Sequence, residues 1–144
     1  MTEFPTIALI GGGNMARSLI GGLLVQGWPR EALRVSEPLP ALREALARDF
    51  QVATTDDNLA IAREADVVLF AVKPQVMREV CTAIAPAIGG PAKLVISIAA
   101  GVRTAQIERW LGGDAAVVRC MPNTPALIGE GATGMVSNIA ADAT

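Results

Sequence analysis

Residues Ile7 to Ala16 read Ile-Ala-Leu-Ile-Gly-Gly-Gly-Asn-Met-Ala, four apolar residues running straight into a glycine turn. A strand, a Gly-x-Gly-x-x-Ala turn and a helix in this order can cradle a pyrophosphate. Gly11 allows the tight turn, Gly13 lets the backbone approach the phosphates without a side chain in the way, and Ala16 permits close helix-strand packing. Anionic oxygens would sit on the helix N-terminus, where unpaired N–H groups and the positive end of the macrodipole favour them. The same letters also make a purely structural turn. The apolar run before the turn and the helical spacing of Met15, Leu19, Ile20, Leu23 and Leu24 after it favour nucleotide binding.

A carboxylate follows at the expected distance. Glu37 lies 21 residues beyond Ala16, in Ser36-Glu37-Pro38, about where a Rossmann-type domain places the acid that holds an adenosine ribose. An acid there favours NADH, since a 2'-phosphate close to it is repelled even at an effective dielectric of about 20. The alternative is a solvated Glu in a Glu-Pro turn whose side chain rotates away. Arg30, Arg34 and Ser36 are near enough in sequence to offer a phosphate other contacts.

Three later segments carry further candidates. In Ala71-Val72-Lys73-Pro74-Gln75, Pro74 fixes the first turn of a helix and the backbone reaches the crevice opposite the glycine turn. Lys73 can contact a cofactor or a substrate carboxylate, although a lysine at a strand end is more often a surface group. Ala99, Ala100 and Gly101 are small enough for a flat nicotinamide ring to approach, and equally suit plain packing. Met121-Pro122-Asn123-Thr124-Pro125 is stiffened by two prolines, and Asn123 can hydrogen-bond a carboxamide, a carboxylate or its own backbone in an Asx turn.

The chain has no histidine and no tyrosine, so it holds neither a His-carboxylate relay nor a Tyr-Lys relay for protonating an alkoxide. A protonated C=N is already electrophilic, and the nitrogen lone pair freed by hydride transfer takes a proton easily. An oxidoreductase domain of this composition therefore points to C=N reduction, or to an acid supplied by another domain.

The elements that must position these residues alternate. Strands are expected near Thr6 to Ile10, Leu33 to Ser36, Val52 to Ala53, Val67 to Val72, Leu94 to Ile98 and Ala116 to Cys120. Helices are expected over Asn14 to Gln26, Pro40 to Phe50, Asn58 to Ala65, Gln75 to Ala87 and Thr104 to Leu111. This reads as an α/β, doubly wound, Rossmann-type parallel sheet of order 3-2-1-4-5-6, with its ligand crevice at the C-terminal ends of strands 1 and 4. Gly131 to Val136 can add a short strand. Residues 1–136 are expected to form one dinucleotide-binding domain, and 137–144 the truncated start of a connection to a second domain.

With 144 residues the chain is long enough to bury a core without disulfide or metal. Hydrophobic residues make up 51 % and the mean hydropathy is +0.42, which suits buried parallel strands and a surface meant for another domain or subunit. A net charge of −2 gives no reason to expect nucleic acid or an anionic membrane as partner. No stretch approaches the roughly 20 apolar residues of a membrane span, and Met-Thr-Glu-Phe-Pro lacks the basic region of a secretory signal, so a cytoplasmic protein is expected. Cys81 and Cys120 lack Cys-x-x-Cys spacing, no metal site is indicated, and both are expected to be buried apolar cysteines.

Taken in order, Ile10-Gly-Gly-Gly-Asn-Met-Ala16, Ala65-Asp-Val-Val-Leu-Phe-Ala-Val-Lys-Pro-Gln75, Ser97-Ile-Ala-Ala-Gly101 and Arg119-Cys-Met-Pro-Asn-Thr-Pro-Ala126 give a specific pattern. The chain resembles the N-terminal domain of the pyrroline-5-carboxylate reductases. Each block alone occurs among other NAD(P) enzymes; it is the four together, spanning nearly the whole chain, that carry the resemblance. The resemblance implies transfer of a hydride from NADPH or NADH to the C=N carbon of 1-pyrroline-5-carboxylate, giving L-proline. It implies that Gly11, Gly12, Gly13, Asn14 and Met15 hold the pyrophosphate, beside Ala16. It further implies that Ser36 and Asn58 serve the adenosine ribose and that Ala71, Val72, Lys73, Pro74, Ala99 and Ala100 flank the nicotinamide. Asn123, with Met121 and Pro122, would stand near the nicotinamide and substrate, and no catalytic residue is assigned. The family's helical second domain is absent from this sequence. That domain would supply dimerisation and the grip on the substrate carboxylate, so homo-oligomerisation is expected of the longer protein and little turnover of this chain alone. Two other readings share the cofactor fold: another imine or hydroxyacid oxidoreductase, and a nucleotide-sensing domain without chemistry.

Overall fold

A computed structural model describes residues 4–88, 92–120 and 135–137. Its first six strands are β1 Ile7–Ile10, β2 Leu33–Ser36, β3 Ala53–Thr55, β4 Val67–Phe70, β5 Leu94–Ser97 and β6 Ala116–Cys120, and neighbours among them pair in parallel. The spatial order is β3-β2-β1-β4-β5-β6, as the alternation of elements predicts. A seventh strand, β7 Met135–Ser137, adds antiparallel to β6 with Cys120 opposite Met135. It begins later than Gly131 to Val136 and carries the sheet one residue past position 136.

The helices are α1 Asn14–Val25, α2 Pro40–Phe50, α3 Asn58–Glu64, α4 Met77–Ile88 and α5 Thr104–Trp110. Proline opens α2 at its first turn, where a missing N–H costs nothing. Asp57 caps α3, its side chain accepting from the Ala60 N–H at 3.1 Å. At the other end of α3, Lys93 Nζ donates to the carbonyls of Arg63 and Ala65 at 2.8 and 2.6 Å, satisfying groups the helix leaves open.

Strand pleating divides the core in two. Ala8, Ile10, Val68, Phe70, Val95 and Val117 face α3, α4 and α5, where Cys81, Ile84 and Ile107 are fully buried. Ile7, Leu9, Leu33, Val35, Val67 and Leu69 face the opposite way, against Ala16 and Ile20 of α1 and Leu46 of α2. Each buried Val, Leu, Ile or Phe among them contributes about 1.5–3 kcal/mol, so the two layers fix the register that brings the strand ends level. Outside them, Arg17 pairs with Asp49 at 2.6 Å and lies over the Phe50 ring, tying α1 to α2. Arg17, and after it Arg48, holds the Asp49 carboxyl below its ordinary value.

Two sequence expectations shift. The third strand falls on Ala53–Thr55 rather than Val52 to Ala53, because Val52 is a buried lead-in and the edge strand itself is polar. The helix expected from Gln75 is two elements: a 3₁₀ turn over Pro74–Val76, then α4.

Candidate functional site: a glycine-lined crevice at the strand ends

The chain leaves β1 between two neighbours that hold its exit. Gly11 N–H donates to the Ser36 carbonyl on the β2 side, and Ala71 N–H donates to the Ile10 carbonyl on the β4 side, both at 2.8 Å. The backbone then turns through Gly11 at φ +107°, and a Cβ there would lie 2.5 Å from the Ala71 carbonyl oxygen. Only glycine fits that position. Gly12 is closed for another reason: a Cβ would meet Leu46 Cδ1 at 2.7 Å and Glu37 Cβ at 3.1 Å.

Gly13 differs from both. Its φ of −83° suits any residue, and a Cβ added to it would meet nothing within 4 Å. Neither backbone conformation nor packing calls for a glycine here, whereas a ligand lying against the backbone would. Gly13 is also the N-cap of α1, and no side chain caps that end. The first-turn N–H groups are therefore available to an anion.

These glycines form one wall of a cavity of about 550 Å³, a size that suits a cofactor. Ser36, Glu37, Pro38, Leu39 and Leu42 form the β2 side, Asn58 closes one end, and Ala71, Val72, Lys73, Val76, Glu79 and Val80 form the β4 side. Ser36 Oγ donates to Asn58 Oδ1, so two residues 22 apart in sequence make one polar pair at the crevice. Leu39, Leu42, Val76 and Val80 supply apolar surface that suits a flat ring. Free backbone donors, a hydroxyl-amide pair and apolar walls around one space match the phosphates, ribose and base of a dinucleotide.

Glu37 is neither solvated nor free to rotate. It is 7 % exposed, its Oε1 accepts from Gly12 N–H and its Oε2 from Leu39 N–H, each at 2.9 Å. This corrects the alternative of a solvated turn residue: the carboxylate braces the glycine turn against the β2–α2 connection.

Of the residues singled out from sequence, Gly11, Gly12, Gly13, Ser36, Glu37, Asn58, Ala71, Val72 and Lys73 line one space. Ala16 does not, having no exposed surface; it packs α1 on the sheet. Asn14 is exposed and Met15 partly so, while Pro74 sets the 3₁₀ turn. Ala99 is buried with its N–H on Ser97 Oγ at 3.2 Å, and Ala100 is exposed; neither lines the cavity. Met121, Pro122 and Asn123 lie outside the described residues.

Arg30 and Arg34 are turned to other work: Arg30 Nε donates to the Phe50 carbonyl at 3.1 Å and Arg34 pairs with Glu64. Sequence reasoning missed Leu39, Leu42, Val76, Glu79 and Val80 in the lining. The spacing of Val76 and Val80, one helical turn apart, was the available signal. Burial pushes the Cys81 thiol up to about 12, and raises that of Cys120 as well. Cys81 is buried as expected, whereas Cys120, expected to be buried too, is only half-buried.

The family described as NADP oxidoreductase, coenzyme F420-dependent, matches residues 6–101, from the start of β1 to the loop after β5. The chain belongs to this family. It is 50 % identical over 134 residues to a pyrroline-5-carboxylate reductase of Pseudomonas aeruginosa, an alignment covering 93 % of this chain and 49 % of the relative. A solved pyrroline-5-carboxylate reductase from Coxiella burnetii superposes with a TM-score of 0.87 at 37 % identity, covering 94 % of this chain and 50 % of that one. The pyrroline carboxylate reductase of Plasmodium falciparum, solved with NADP bound, gives 0.80 at 27 % identity over 96 % of this chain and 50 % of its own. The resemblance carried by the four sequence blocks therefore extends to whole-chain similarity. The chain spans about half the length of the curated relatives it matches. Among the described residues no helix is long and apolar enough to cross a membrane.

Proposed function

We propose that this chain is the dinucleotide-binding half of an NAD(P)H-dependent pyrroline-5-carboxylate reductase. The observation that carries the reading is the 50 % identity to such a reductase over 93 % of a chain whose glycine turn opens on a cofactor-sized cavity. Bound NADPH or NADH would supply the hydride that reduces the C=N bond of 1-pyrroline-5-carboxylate to L-proline.

The chain's own residues bind and orient. The uncapped start of α1 receives the pyrophosphate, with Gly13 giving it room and Gly11 fixing the turn. Asn14 and Met15 flank that anion. The Ser36–Asn58 pair and Glu37 face the adenosine ribose, while Ala71, Val72, Lys73 and Pro74 lead toward the nicotinamide, with Ala99 and Ala100 beyond them. Met121, Pro122 and Asn123 are assigned to the nicotinamide and substrate end. Residues 1–136 act as the cofactor domain, residues 137–144 lead toward a helical half that grips the substrate and pairs two copies, and the longer protein works in the cytoplasm.

The test is oxidation of NADPH or NADH in the presence of the cyclic imine, with this chain alone and with the longer protein containing it. Turnover by the longer protein and little by the chain supports the reading. Absence of turnover by the longer protein with either nucleotide would refute it.

A further inference from the structure

We propose that Arg43 takes the 2'-phosphate of NADPH, so that the chain accepts the phosphorylated dinucleotide in spite of the carboxylate at the end of β2. The inference rests on the nucleotide-binding reading above. Glu37 cannot move aside for a phosphate: both its oxygens are held by main-chain N–H groups, at Gly12 and Leu39. A second anion at this strand end needs a cation beside it.

Arg43 stands beside that wall, next to the residues that line the cavity and not itself one of them. From the second turn of α2 its Nη1 reaches back to the carbonyls of Glu37 and Pro38, at 2.7 and 3.1 Å, and both those residues line the crevice. The main chain thus fixes one arm of the guanidinium, with the side chain half-buried. Nη2 and Nε make no hydrogen bond among the described residues, which leaves a positioned pair of donors for phosphate oxygens. The other arginines near this end are engaged: Arg30 with the Phe50 carbonyl, Arg34 with Glu64 and Arg17 with Asp49. Lys73 lies on the opposite, β4 wall. Glu37 and Arg43 together make the ribose end tolerant of either nucleotide, one through a hydroxyl acceptor and the other through a phosphate donor set.

The experiment is calorimetric titration of the chain, and of its Arg43→Gln and Arg43→Lys variants, with NADPH, NADH and adenosine 2',5'-bisphosphate. Arg43→Gln is expected to weaken NADPH and the bisphosphate by about tenfold or more while NADH changes by less than about twofold, and Arg43→Lys to recover part of the loss. An unchanged ratio of NADPH to NADH affinity in Arg43→Gln, or equal weakening of both, would overturn the assignment. Failure of the unsubstituted chain to bind either dinucleotide would instead refute the nucleotide-binding reading, and this assignment with it.

Discussion

Glu37 Oε1 accepts the Gly12 N–H at 2.9 Å, joining the end of β2 to the glycine turn across 25 residues of sequence. The other carboxylate oxygen holds Leu39 N–H, so one buried side chain sets both the floor of the turn and the entry to α2. Glu37→Ala leaves these donors without their partner, and a loss of about 1–3 kcal/mol in unfolding free energy is expected. Glu37→Gln keeps one acceptor oxygen and should lose less. Equal stability of the alanine variant and the parent in urea would show that the brace contributes nothing.

The glycines of the turn are not interchangeable. Gly11→Ala places a Cβ 2.5 Å from a main-chain oxygen at φ +107°, with no flexible group there to give way. A loss of about 2 kcal/mol or more is expected in thermal or denaturant unfolding. Gly12→Ala meets the side-chain methyl of Leu46 at 2.7 Å, which can shift, and should cost less than Gly11→Ala. The reverse order would contradict the close approach at Ala71.

Cys81 has no exposed surface, and its thiol is pushed up to about 12 from an ordinary value of 9.0. In that window the unfolded chain gives up the proton that the folded chain keeps, so stability is complete below about pH 9 and falls as pH rises toward about 12. The chain has no tyrosine to titrate over the same range. Denaturation midpoints should fall across this window, and less steeply in Cys81→Ala; identical slopes would refute the burial of this thiol. At pH 8 a thiol reagent should modify half-buried Cys120 well before Cys81.

Much of the scaffold was legible because several of its signals are local. Pro40 suits the first turn of a helix by its backbone chemistry, and the apolar run Val67 to Val72 reads as a strand covered on both faces, of which Val67–Phe70 is the paired part. The third strand was displaced because hydrophobicity was the guide and an edge strand needs little: Thr54 and Thr55 pair with Val35 and Ser36 while Val52 only approaches.

The site was legible in its glycines and in part in its side chains: Ser36, Asn58 and Lys73 line the cavity as their place in the sequence suggests, whereas Leu39, Leu42, Val76 and Val80 were not legible. The spacing of Gly11, Gly13 and Ala16 carries the turn, but Gly12 is fixed by Leu46 and Glu37, which arrive from a different strand and helix. Whether Glu37 points to solvent, to a ribose or to a main-chain N–H is decided by that long-range packing. Arg43 was missed in the same way: nothing in its sequence neighbourhood shows that it folds back onto two carbonyls six and five residues before it.

Gly13 offers the most direct test of the account. With φ −83° and nothing within 4 Å of an added Cβ, Gly13→Val should change stability by about 1 kcal/mol or less, the cost of a poorer N-cap. The measurement is calorimetric titration of the chain and of Gly13→Val with NADPH and NADH, alongside their melting curves. Binding to the parent chain is expected, with its loss in a variant that melts almost normally. Unaltered nucleotide affinity in Gly13→Val would contradict it, because the open space at Gly13 would then not be where the dinucleotide lies.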